Sequence, residues 1–98
     1  MPRDLSGLPI AISGAGSGIG RATAIACARA GMPVALSGRR EGPLREVERL
    51  ITDAGGRAMV MSVDVADAEA CTRFVEATVD HFGTLYAVFA NAGYGLRG

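Results

Sequence analysis

The segment Ser13-Gly14-Ala15-Gly16-Ser17-Gly18-Ile19-Gly20 holds the first residues whose types and spacing could do chemistry. The dinucleotide fingerprint G-x-G-x-x-G/A does not fit it: counted from Gly14 the last position falls on Ile19, and from Gly16 on Arg21. The spacing present is G-x-x-x-G-x-G, through Gly14, Gly18 and Gly20. The same physics can apply. Gly14 permits a tight exit from a strand, Gly18 lets an anion approach bare backbone, and Gly20 lets a helix pack close to a sheet. The amides from Ser17 to Gly20, Ile19 included, then face a diphosphate at the positive end of the helix dipole. A plain turn is the alternative, but the position between a short apolar run and a helical pattern is the context that the anion-binding role requires. No Gly-Lys-Ser/Thr follows, so this is not a Walker A loop.

A second constellation lies about 20 residues on, where a dinucleotide with a free ribose 2′-hydroxyl wants an acid. The chain reads Ser37-Gly38-Arg39-Arg40, and the first acid is Glu41, behind both arginines. Arg39 can pair with a 2′-phosphate through a charge-assisted bond. The spacing therefore predicts NADP(H) in preference to NAD(H), with NAD(H) possible. Solvated surface charge is the other reading of Arg39, and the stronger one for Arg40.

These residues need elements to position them. Leu8–Ser13, Pro33–Ser37, Arg57–Val63 and Leu85–Ala90 are short apolar runs without clean alternation. They read as strands buried on both faces, as in a parallel sheet. Between them lie helical patterns. In Gly18–Ala30, the residues Ile19, Ala22, Ala26, Cys27 and Ala30 recur at helical spacing, and Gly31 and Pro33 stop the run. In Pro43–Ala54, the residues Leu44, Val47, Leu50, Ile51 and Ala54 share one face. Asp67 is placed to cap Ala68–Phe82, whose inner face reads as Ala70, Phe74, Ala77 and His81. The order β-α-β-α-β-α-β predicts an α/β fold: a Rossmann-like, doubly wound parallel sheet with strand order 3-2-1-4. The whole of residues 1–98 reads as a single, partial nucleotide-binding domain. Ligands of such sheets sit beyond the carboxyl ends of the strands, at the switch point between strands one and four.

Composition narrows the function classes. Ten Arg and no Lys balance ten Asp and Glu, for a net charge of zero. That argues against an electrostatic nucleic-acid binder. No run reaches the roughly 18–20 apolar residues of a membrane helix. The residues before the first run do not read as a secretory leader, so no signal peptide and a cytoplasmic location with reduced thiols are expected. Cys27 and Cys71 belong to no CxxC or Cys/His cluster, so no metal site is expected.

The sequence resembles the short-chain dehydrogenase/reductase family from about Leu8 to Gly93. The resemblance is carried by SGAGSGIG, by Asp64-Val65 after strand three, and by Asn91-Ala92-Gly93 after strand four, in order at the ends of successive strands. It implies a nicotinamide dinucleotide as ligand and hydride transfer between that cofactor and a small-molecule carbonyl or alcohol. It implies that the Asp64 carboxylate accepts from the adenine amino group and that the Val65 amide meets the ring. Asn91, Ala92 and Gly93 resemble the family's turn beside the cofactor, and Asn91 can equally brace neighbouring strands. Ser13 stands where the family commonly has Thr. A homo-oligomer is expected of an intact parent.

The family's catalytic Ser and Tyr-x-x-x-Lys have no counterpart. Tyr86 is followed four places on by Ala90, Tyr94 by Gly98, and there is no Lys. The chain is thus expected to be the amino-terminal, cofactor-binding part of a longer oxidoreductase, inactive alone, with no catalytic residue of its own. A stand-alone nucleotide-binding module and a non-functional truncation are the alternatives. An apolar edge at strand four would leave such a domain marginal and prone to associate.

Overall fold

The computed structural model describes residues 5–63 and 68–90. Its elements are β1 (Ile10–Ser13), α1 (Gly18–Arg29), β2 (Val34–Gly38), α2 (Glu41–Asp53), β3 (Ala58–Ser62), α3 (Ala68–Phe82) and β4 (Ala87–Ala90). The four strands form one parallel sheet in the order β3-β2-β1-β4. This is the topology that the alternation of runs predicts.

The register explains the two layers. Ile10, Ile12, Val34 and Leu36 alternate with Ala11 and Ala35 along the central strands. The first set packs with Ala24, Leu44, Val47 and Ile51, so α1 and α2 cover one face. Ala11 and Ala35 pack with Phe74, so α3 covers the other. Period-two alternation thus sends the large side chains to the two-helix face and alanines to the one-helix face.

Only the central strands have the burial expected on both faces: β1 is buried throughout and β2 nearly so. β3 is half-buried, and β4 alternates between half-buried and exposed. Among the described residues each of these two strands has one strand neighbour, and Val88 is 53% exposed on the α3 face.

Two helical faces differ from expectation. In α1 the buried residues are Gly20 and Ala24, while Ile19, Ala22, Ala26 and Ala30 are exposed. Ile25, Cys27 and Ala28 are partly buried against the same core, so of the expected face Cys27 alone packs inward, and the buried positions are residues too small for hydropathy periodicity to show. In α3 the buried row is Ala70, Phe74 and Thr78, and His81 is exposed, edge-on to the Phe82 ring at 4.8 Å. Thr78 enters the core because its hydroxyl donates to the Phe74 carbonyl at 2.8 Å, which satisfies the polar atom internally. In α2 Leu44, Val47 and Ile51 are buried, but Leu50 and Ala54 are exposed. That helix starts two residues early, at Glu41, which leaves Pro43 inside the first turn, where its missing N–H costs nothing.

Candidate functional site

The carboxyl ends of the strands define one rim. Ser13 lies in register with Ser37 and with Ala90, and Gly38 with Ser62. The glycine turn leaves this rim from β1, and Arg39 leaves it from β2.

Two glycines of the turn have the backbone their type allows. Gly14 has φ +65° and Gly18 φ +58°, in the left-handed region that L side chains rarely adopt. A Cβ built at Gly18 would meet no atom within 4 Å, so that face of the turn opens to space. Gly20 is buried where α1 meets the sheet. Ser17 is extended at the N-cap and makes no side-chain cap bond, and no acid occupies the first turn. Arg21 N–H makes the first return bond, to the Ser17 carbonyl at 3.3 Å, so the amides of Gly18, Ile19 and Gly20 precede the intrahelical ladder. A helix start without side-chain cap or carboxylate suits an external anion. Ile19 is 68% exposed beside it, an apolar side chain in solvent rather than in the core.

The turn is held by contacts that sequence reading missed. Ala15 is fully buried, and its N–H donates to the Ser37 carbonyl at 3.0 Å, stapling the turn to the end of β2. A Cβ at Gly16 would stand 3.0 Å from the Pro43 Cβ and 3.8 Å from Leu44. A Cβ at Gly38 would meet the same Leu44 side chain at 3.4 Å. Leu44, fully buried, thus sits against both the glycine turn and the end of β2. The signal was present in the small residues at 15 and 16, but its meaning depends on α2 folding over them.

At the end of β2, Arg39 and Arg40 are exposed. Glu41, the first acid, accepts from Arg45 Nε at 2.9 Å. Arg45 also reaches Glu48 at 3.0 Å, and these two hydrogen bonds push the Arg45 guanidinium further above its ordinary value. The first carboxylate after β2 in sequence is therefore already engaged along its own helix. Burial pushes the Cys27 thiol up.

Asp64, Val65, Asn91, Ala92 and Gly93, and the capping position Asp67, lie outside the described residues. Among the described residues no group of three His, Cys, Asp or Glu could hold a metal ion, and no helix is long and apolar enough to cross a membrane. A cavity of about 640 Å³ opens at the opposite end of the sheet, between the carboxyl ends of α1 and α2, and includes no residue of the glycine turn.

Residues 9–98 match the family model described as short chain dehydrogenase. The chain belongs to that family. It is 38% identical over 91 residues to an 11-beta-hydroxysteroid dehydrogenase A of Sesamum indicum, which covers 92% of this chain and 26% of the sesame protein. The fold superposes on a short-chain dehydrogenase/reductase of Burkholderia phymatum in complex with NAD, with TM-score 0.84 and 29% identity, covering 89% of this chain and 31% of that one. It also superposes on a metagenomic short-chain oxidoreductase in complex with NADP, with TM-score 0.81 and 32% identity, covering 88% and 39% of the respective chains. The chain thus spans a quarter to two fifths of the length of these short-chain dehydrogenase relatives. Similar relatives hold either nicotinamide dinucleotide, so the family alone leaves the choice between them open.

Proposed function

We propose that this chain is the NADP(H)-binding domain of a short-chain oxidoreductase that exchanges a hydride between the cofactor and a small-molecule carbonyl or alcohol. The observation that carries the reading is the uncapped, acid-free start of α1 behind a glycine whose missing Cβ leaves open space. The diphosphate would lie against the amides of Gly18, Ile19 and Gly20, with Gly14 and Ser17 shaping the approach. The nicotinamide supplies the hydride chemistry when bound.

Arg39 is the proposed partner of a 2′-phosphate. Support comes from the absence of an acid at Ser37 and Gly38 and from the engagement of Glu41 by Arg45, which among the described residues leaves no unengaged carboxylate next to the end of β2 in sequence to take a ribose 2′-hydroxyl. A phosphate there gains a charge-assisted bond worth roughly 1.5–3 kcal/mol. Asp64 and Val65 are proposed to meet the adenine, and Asn91, Ala92 and Gly93 to line the cofactor beyond strand four. The proton transfer that accompanies hydride exchange needs the family's Ser and Tyr-x-x-x-Lys, and this sequence contains no Lys. The reading therefore gives these 98 residues cofactor binding without turnover; the intact protein is proposed to be cytoplasmic and to assemble as a homo-oligomer.

The test is calorimetric titration of the protein and its Arg39→Asp variant with NADPH and NADH. The wild type is expected to favour NADPH and the variant NADH. Unchanged relative affinities would refute the role of Arg39.

A further inference from the structure

Three consecutive carbonyls at the end of β2 are each held from outside the strand. The Ser37 carbonyl accepts from Ala15 N–H at 3.0 Å, on the β1 side. The Gly38 carbonyl accepts from Val63 N–H at 2.9 Å, on the β3 side. The Arg39 carbonyl accepts from the Ser62 hydroxyl at 3.1 Å. The first two are backbone bonds that any residue could make. The third depends on one side chain.

Sheet register reaches only as far as Gly38, opposite Ser62, and α2 begins at Glu41. Arg39 and Arg40 alone bridge the gap. The Ser62 bond therefore extends the grip of β3 one residue past the ladder, onto the residue that carries the guanidinium. Holding the Arg39 carbonyl fixes the ψ rotation at that residue, and with the Gly38 carbonyl also held, the direction of its Cα–Cβ bond. Ser62 is exposed, so the bond contributes little to the core and acts chiefly on geometry.

We infer that Ser62 is a positioning residue for cofactor selectivity: its hydroxyl sets the backbone from which Arg39 reaches a 2′-phosphate. This rests on the proposed 2′-phosphate role of Arg39. A pre-set backbone removes part of the ordering cost that a free loop would meet on binding. The gain applies to the ligand that Arg39 contacts and not to one lacking the phosphate.

The experiment measures affinities for adenosine 2′,5′-bisphosphate, 5′-AMP, NADPH and NADH, with melting temperature, in wild type, Ser62→Ala, Ser62→Cys, Ser62→Thr and Arg39→Ala. Ser62→Ala and Ser62→Cys (the latter nearly isosteric, with a weak donor) are expected to lose roughly 3- to 10-fold in affinity for the two 2′-phosphate ligands, the size of one net hydrogen bond. Affinity for 5′-AMP and NADH should change less than about two-fold on the same grounds, and Ser62→Thr should restore binding. If Arg39→Ala abolishes the preference for 2′-phosphate but the Ser62 variants do not move it, the positioning role is overturned while the Arg39 assignment stands. An equal loss for all four ligands makes Ser62 merely structural and also overturns it. A wild type indifferent to the 2′-phosphate overturns both readings.

Discussion

Gly16 and Pro43 meet so closely that a Cβ added to the glycine would stand 3.0 Å from the Cβ of the proline. The glycine turn therefore rests on the first turn of α2, and position 16 is a packing constraint rather than a conformational one. Gly16→Ala should cost about 1–2 kcal/mol through overpacking, because Pro43 belongs to a rigid ring and backbone must shift. Gly16→Val should cost more. For a domain of this size each 1 kcal/mol moves the midpoint by roughly 4–8 °C, which a thermal melt resolves. An unchanged melt in Gly16→Val would mean that the turn is not seated on α2.

Gly18 is the complementary case. Its Cβ would touch nothing, but its φ of +58° places any L residue in a strained region. Gly18→Ala should lower stability by only about 1–2 kcal/mol, the cost of the left-handed backbone. Nucleotide affinity should fall further, by a hundredfold or more (about 2.7 kcal/mol), because the methyl group occupies the approach to the amides. Parallel loss of stability and affinity, with neither exceeding the other, would remove Gly18 from the binding surface.

Leu44 links the two arms of the site. It is fully buried beneath both Gly16 and Gly38. Leu44→Ala should destabilise by about 2–5 kcal/mol, as for other buried leucines. Ligand-stabilised melts should show that affinity for nucleotide falls as well, since the cavity opens under the turn. A variant that loses stability but binds normally would show that the turn holds its shape without α2.

Cys27 gives a pH dependence. Burial pushes its thiol above the ordinary 9.0, so the folded state keeps the proton longer than the unfolded chain does. Its contribution to stability is therefore fully present below the unfolded value and is lost as pH rises through the folded one. Urea melts of the wild type and Cys27→Ala across pH 8 to 11 should show a steeper alkaline loss in the wild type. Identical slopes would contradict the burial effect.

The topology was legible because four apolar runs and three helical patterns alternate strictly, and parallel βαβ geometry leaves few ways to arrange them. Helix faces were legible where branched residues mark them, as with Leu44, Val47 and Ile51. They were not legible in α1, whose buried face is Gly20 and Ala24, nor in α3, where Thr78 hides its hydroxyl against its own helix. Ile19 reads as core by hydropathy and stands exposed beside the glycine turn. In the candidate site, Gly14, Gly18 and Gly20 were readable from spacing. The supports at Ala15, Gly16 and Ser62 were not, because each depends on a partner brought near by the fold: Ser37, Pro43 and Arg39.

On the proposed function, a dinucleotide diphosphate binds the bare amides at the start of α1. This binding is tested most directly by a thermal-shift titration of this protein with NADPH. At 100 times Kd the ligand should stabilise the protein by about 2.7 kcal/mol, a readily measured rise in midpoint, and this stabilisation should be lost in the Gly18→Ala variant. A midpoint that does not move at any NADPH concentration, or that rises equally in wild type and Gly18→Ala, would contradict it.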